Sequence, residues 1–104
     1  MTPKLTTNEK FAIIAVLSEI MKADGIIHPK EEEYINCIYR VFGVTINDLE
    51  DIGNLDGIQA KYILDGMIDE KRKYVRNLFL EMAKRDGYVH PKEMQLINSL
   101  FRVN

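Results

Sequence analysis

One short passage of this chain is written twice. "MKADGIIHPKEEEYIN", Met21 to Asn36, returns 62 positions later within "MAKRDGYVHPKEMQLIN", Met82 to Asn98, and the two align without a gap. Asp24 meets Asp86, Gly25 meets Gly87, and His28, Pro29, Lys30 and Glu31 meet His90, Pro91, Lys92 and Glu93. Ile35 and Asn36 then meet Ile97 and Asn98, and Arg40 and Val41 meet Arg102 and Val103. Two copies are too few for a solenoid. The expectation is two helix–turn–helix units, residues 8–42 and 70–104, packed about a pseudo-twofold axis in a single domain over residues 1–104.

The flanking segments carry the helical period. Val75, Leu78, Phe79 and Met82 fall at i, i+3, i+4 and i+7, and their counterparts are Ile13, Val16, Leu17 and Ile20. The first copy is also apolar at Phe11, Ile14, Ala15 and Met21, where the second has Lys73, Arg76, Asn77 and Ala83. The first helix is therefore expected to be wrapped on several sides, and the helix over about 70–85 to lie outside. Thr6 with Glu9 forms a capping box, Gly43 supplies a left-handed stop, and Thr45 with Asp48 opens a short helix. Asp56 caps a segment with Ile58, Tyr62 and Met67 as buried candidates, and Asp69 caps the long helix that follows. No stretch alternates with period two, so the fold expected is all-α, a compact bundle of about six helices.

Composition narrows the function. A length of 104 residues, 46% hydrophobic and 29% charged, suits one globular domain with a real core. A net charge of −2 and a pI near 5.7 leave no electrostatic footprint for nucleic acid or an anionic membrane. The basic run Lys71, Arg72, Lys73 and Arg76 around Tyr74, with Lys84 and Arg85 beyond, is interleaved with Glu70 and Glu81 and reads as a solvated helix face. The single cysteine, Cys37, faces Ser99 in the repeat and reads as a small neutral packing position. The run Phe11 to Leu17 is far short of the roughly 20 apolar residues a membrane span needs. The setting expected is cytoplasmic. No nucleophile elbow, phosphate loop or HExxH pattern is present, so no enzyme is expected.

The repeated passage reads first as a helix stop followed by a helix start. Gly25 and Gly87 take the left-handed position past one helix, and Lys22 and Lys84 complement the dipole of its last turn. Ile27 and Val89 plug the turn. Proline at the first helical position loses only an N–H that would be orphaned anyway, and it holds His28 or His90 in extended cap geometry. Glu31 and Glu93, at the third position, are placed to reach back to the cap. Asp24 and Asp86 fit this scheme least, because a carboxylate at a helix C-terminus opposes the dipole.

The same spacing, D-G-x-(I/V)-x-x-x-E, matches the second half of an EF-hand loop. The first half fails: Ile20 and Lys22, or Met82 and Lys84, stand where oxygen ligands belong. An ordinary EF-hand is excluded. A sparser set survives, Asp24, Glu31, Asp86 and Glu93, with His28 and His90 as additional ligands that would favour softer ions.

"MKADGIIHPKEEEYI" and "AKRDGYVHPKEMQLI" resemble the signature of the TerB-like family, which includes tellurite-resistance protein TerB and the amino-terminal domain of DjlA-type J-domain co-chaperones. The likeness runs from about Asn8 onward, and the two loops carry it. It implies a compact helical bundle without catalytic chemistry, associated with stress responses. It also implies metal chelation by the motif's acidic residues, here Asp24 and Glu31 and, through the repeat, Asp86 and Glu93. No cofactor other than a divalent cation is expected, the candidates being Ca²⁺, Mn²⁺, Mg²⁺ and Zn²⁺. The rival expectation is a structural or protein–protein interaction domain, co-chaperone-like or homodimerising, whose acidic loops are only helix caps. A protein partner, with a homodimer among the candidates, is expected, and neither nucleic acid nor membrane.

Overall fold

Local capping chemistry opens the first helix. The Thr6 N–H donates to Glu9 Oε1 at 2.8 Å, and the Glu9 N–H donates to Thr6 Oγ1 at 3.1 Å. Two donors of the first turn are thereby satisfied and α1 runs Thr7–Met21. The computed structural model describes residues 3–23, 25, 28–85 and 91–100. Five more helices follow: α2 Pro29–Phe42, α3 Leu49–Asn54 behind a 3-10 turn over Ile46–Asp48, α4 Gly57–Asp65, α5 Asp69–Ala83 and α6 Pro91–Leu100. The described residues contain no strand, and none of their helices is long and apolar enough to cross a membrane. The radius of gyration is 12.8 Å, close to the roughly 13 Å of a compact chain this long.

The short helices start on side-chain oxygens, and α2 stops at a glycine. Thr45 N–H donates to Asp48 Oδ2 at 2.9 Å, and Gln59 N–H donates to Asp56 Oδ1 at 2.8 Å. Gly43 closes α2 at φ 69°, in the left-handed region that side chains avoid. At α5 the expected cap is displaced by one residue: Ile68 is the N-cap and Asp69 the first helical residue, where its charge still favours the dipole. The first stop is also longer than expected. α1 ends at Met21, Lys22 is its C-cap, and Gly25 reaches φ 80° three residues later, its N–H donating to Lys22 O at 3.0 Å.

α1 is the centre of the molecule. Ala12, Ile13, Ile14, Val16, Leu17, Ile20 and Met21 are buried, and the helix packs against each of the other five. α5 buries only Val75, Phe79, Met82 and Ala83, as a helix with one open side should. The two are tied by an ion pair: Lys71 Nζ lies 2.9 Å from Glu9 Oε1, a contact 62 residues apart. That separation equals the repeat offset, so the two partners are counterparts of one another. A twofold relation between the units would bring such a pair together near its axis. Burial pushes the Glu9 carboxyl up, but the Thr6 N–H and the Lys71 ammonium outweigh it and hold the group below the ordinary carboxylate value.

α4 corrects the sequence reading. Ile58 and Tyr62, expected inside, are 84% and 81% exposed, whereas Ala60 and Leu64 are buried and Met67 is buried as expected. α4 makes its most extensive contact with α1, and small residues decide which side faces in. Ala60 admits the close approach, and a Cβ on Gly57 would stand 2.5 Å from Glu19 Oε1. A side carrying isoleucine and tyrosine at i and i+4 would hold the helices further apart. Cys37 is exposed too, with Arg40 Nη2 donating to its Sγ at 3.2 Å, so the position is a surface one and not a packing one.

Candidate functional site

The acidic motif is built on the first turns of α2 and α6. Pro29 opens α2 behind His28, which has the extended backbone of a cap, φ −87° and ψ 127°, but no side-chain cap bond. The N–H groups of Glu31 and Glu32 both donate to His28 O at 3.0 Å, so the chain commits to helix at once. Pro91 is likewise the first residue of α6, with Glu93 third in the helix.

These third-position glutamates are not on the surface. Glu31 is 0% and Glu93 1% exposed, and they are the buried charged residues among the described ones. Their neighbours differ: Glu32 and Glu33 are exposed. Glu93 Oε2 accepts no hydrogen bond among the described residues. The helix N-terminus offsets part of the cost of burying an anion there, up to about 2 kcal/mol in favourable partly buried geometry. The penalty for an ion withdrawn from water is several kcal/mol, and donors, a cation or a proton can each offset it. Hard carboxylate oxygens in a dry setting suit Ca²⁺, Mg²⁺ or Mn²⁺.

The expected ligand set is therefore seen in part. Glu31 and Glu93 are placed and buried, and His28 is half-buried at the head of α2. Asp24, Asp86 and His90 lie outside the described residues, as do Ile27, Val89 and Gly87. Among the described residues no three of His, Cys, Asp and Glu gather closely enough to hold a metal ion. A site would need Asp24 and Asp86 as well.

Burial of the two glutamates escaped the sequence reading, because a charged residue in a polar turn is ordinarily solvated. The signal was the repeat itself: Glu31 recurs as Glu93, whereas Glu32 and Glu33 become Met94 and Gln95. Near the same end of α2, Tyr34 is buried with the Arg85 guanidinium 4.7 Å above its ring. Burial foremost, and the Glu81 carboxylate next, push its hydroxyl up to about 12 against the opposing pull of Arg85, so Tyr34 stays neutral. Arg85 and Lys71 of the basic run thus have partners within the fold. No protein-family model, curated protein or solved structure matches the chain.

Proposed function

We propose that this chain is a non-enzymatic TerB-like helical module, cytoplasmic and associated with stress responses, whose two acidic turns hold a divalent cation. Glu31 and Glu93 would supply oxygens from the helix starts, and Asp24 and Asp86 from the turns before them. The observation that supports the reading is the burial of both glutamates at matched positions, with Glu93 Oε2 lacking a hydrogen-bond donor among the described residues. A cation is one partner that would offset such burial.

The test is the melting temperature in Ca²⁺, Mn²⁺, Mg²⁺ or Zn²⁺ against EDTA. An ion that binds only the folded chain at a hundred times its Kd adds about 2.7 kcal/mol. For a chain this long that raises the midpoint by about 12 °C. The shift should vanish in Asp24→Ala/Asp86→Ala and shrink in Glu31→Gln and Glu93→Gln. An unchanged midpoint with every ion in the wild type would sink the proposal. The cap geometry at His28–Pro29 favours the second reading, in which the acidic turns serve only as helix starts within an interaction domain. That reading requires no response to any ion.

A further inference from the structure

The repeat units and the segment between them treat apolar residues differently. The exposed large hydrophobics among the described residues are Val41, Ile46, Leu49, Ile58, Tyr62 and Ile68, and all but Val41 fall in the segment 43–69 that joins the two units. Within it, α4 concentrates them. Ile58 and Tyr62 stand at i and i+4 on its outer side beside an open apolar hollow of about 400 Å³, lined also by Leu55, Gln59 and Ile63. Single exposed hydrophobics need no explanation, but a contiguous apolar stripe on one helix marks a contact surface.

The charges on that stripe say what kind of surface covers it. Lys61 and Asp65 flank Ile58 and Tyr62 at i+3 and i+7, both are exposed, and neither makes an ion pair or hydrogen bond among the described residues. A patch that carries a cation and an anion one helical turn apart is its own electrostatic complement once it is turned end for end. Two antiparallel copies of α4 related by a twofold axis level with Ile63 would place Lys61 and Asp65 about 3 Å above and below that axis. Each lysine then meets the aspartate of the second copy, because position i faces j and j faces i in an isologous contact. In the same register Tyr62 lies beside its own copy across the axis, and Ile58, five residues from the axis level, stands about 7.5 Å along the helix from it.

We propose that the outer face of α4 is the contact surface of a symmetric homodimer, with Tyr62 at its apolar centre, Ile58 toward its rim and reciprocal Lys61–Asp65 pairs fixing the antiparallel register. This proposal is independent of the cation site. Small interfaces of this kind give weak dimers, so association is read by sedimentation equilibrium from micromolar to millimolar chain. Tyr62→Glu should raise the dimer Kd on the order of tenfold or more, since a central aromatic carries much of the binding. Lys61→Asp and Asp65→Lys should each weaken association by placing like charges opposite one another, and the double swap Lys61→Asp/Asp65→Lys should restore it. All of these positions are exposed, and unchanged far-ultraviolet circular dichroism checks that each variant folds. A wild type that stays monomeric to millimolar, a dimer indifferent to Tyr62→Glu, or a double swap no better than the single ones would overturn the proposal.

Discussion

The orientation of α4 is the place where burial can be tested most directly. Leu64 is 1% exposed and faces the core, while Tyr62, two residues earlier, is 81% exposed. Truncating a buried leucine to alanine removes its transfer energy and leaves a cavity, at a cost of about 2–5 kcal/mol. Truncating a largely exposed surface tyrosine stays within about 0.5 kcal/mol. The unfolding entropy of a chain this long is about 220 cal/mol/K, so each kcal/mol moves the midpoint by about 5 °C. Leu64→Ala should therefore melt about 10–25 °C below the wild type and Tyr62→Ala within about 3 °C of it. Urea titrations followed by circular dichroism at micromolar chain, where a weak dimer dissociates, give the same comparison at constant temperature. Equal losses, or a larger loss for Tyr62→Ala, would mean that α4 is rotated with Ile58 and Tyr62 inward, and the account of its seating on α1 would fail.

Two further perturbations follow from particular contacts. Gly43 sits at φ 69° and a Cβ added there would meet nothing within 4 Å, so Gly43→Ala encounters only backbone strain; it should cost about 1–2 kcal/mol and Gly43→Asn distinctly less, by urea midpoint. The Glu9 carboxyl is held below its unfolded-chain value of 4.5, so its contribution is full above that value and is lost as pH falls through the folded one. Glu9→Gln should flatten the acid limb of stability against pH while leaving the limb above neutrality unchanged.

What was legible in the sequence was local. Thr6 with Glu9, Thr45 with Asp48, Asp56 and Gly43 act through bonds or backbone conformations spanning a few residues, and each stands at the helix boundary it implied. The central place of α1 was legible because a helix apolar on several sides must be enclosed on several sides. The face of α4 was not. "GIQAKYILDGM" carries apolar residues on opposite sides of one helix, Ile58 and Tyr62 on one and Ala60 and Leu64 on the other, with Met67 buried just past its end. Period alone does not choose between them; the choice belongs to α1, which accepts the side with the alanine. The Glu9–Lys71 pair was hidden for a related reason: it joins opposite charges on equivalent positions, whereas the repeat was recognised by identities.

The segment 43–69 has no counterpart within either repeat unit, and this explains why it carries all but Val41 of the exposed large apolar residues. Each unit buries its own stripe against the other through α1 and α5, so a polar outer surface is required of both. The joining segment needs only one side to seal α1, and Ala60, Leu64 and Met67 supply it. Its other side is released from the demands of the core. Isoleucine and tyrosine standing there, flanked by a lysine and an aspartate without intramolecular partners among the described residues, leave most of their apolar surface outside the core. Exposed apolar side chains of that size instead raise the risk of non-specific association. Their presence on a face that the fold leaves free is intelligible if a second copy covers it, and the charge pair then sets which association occurs.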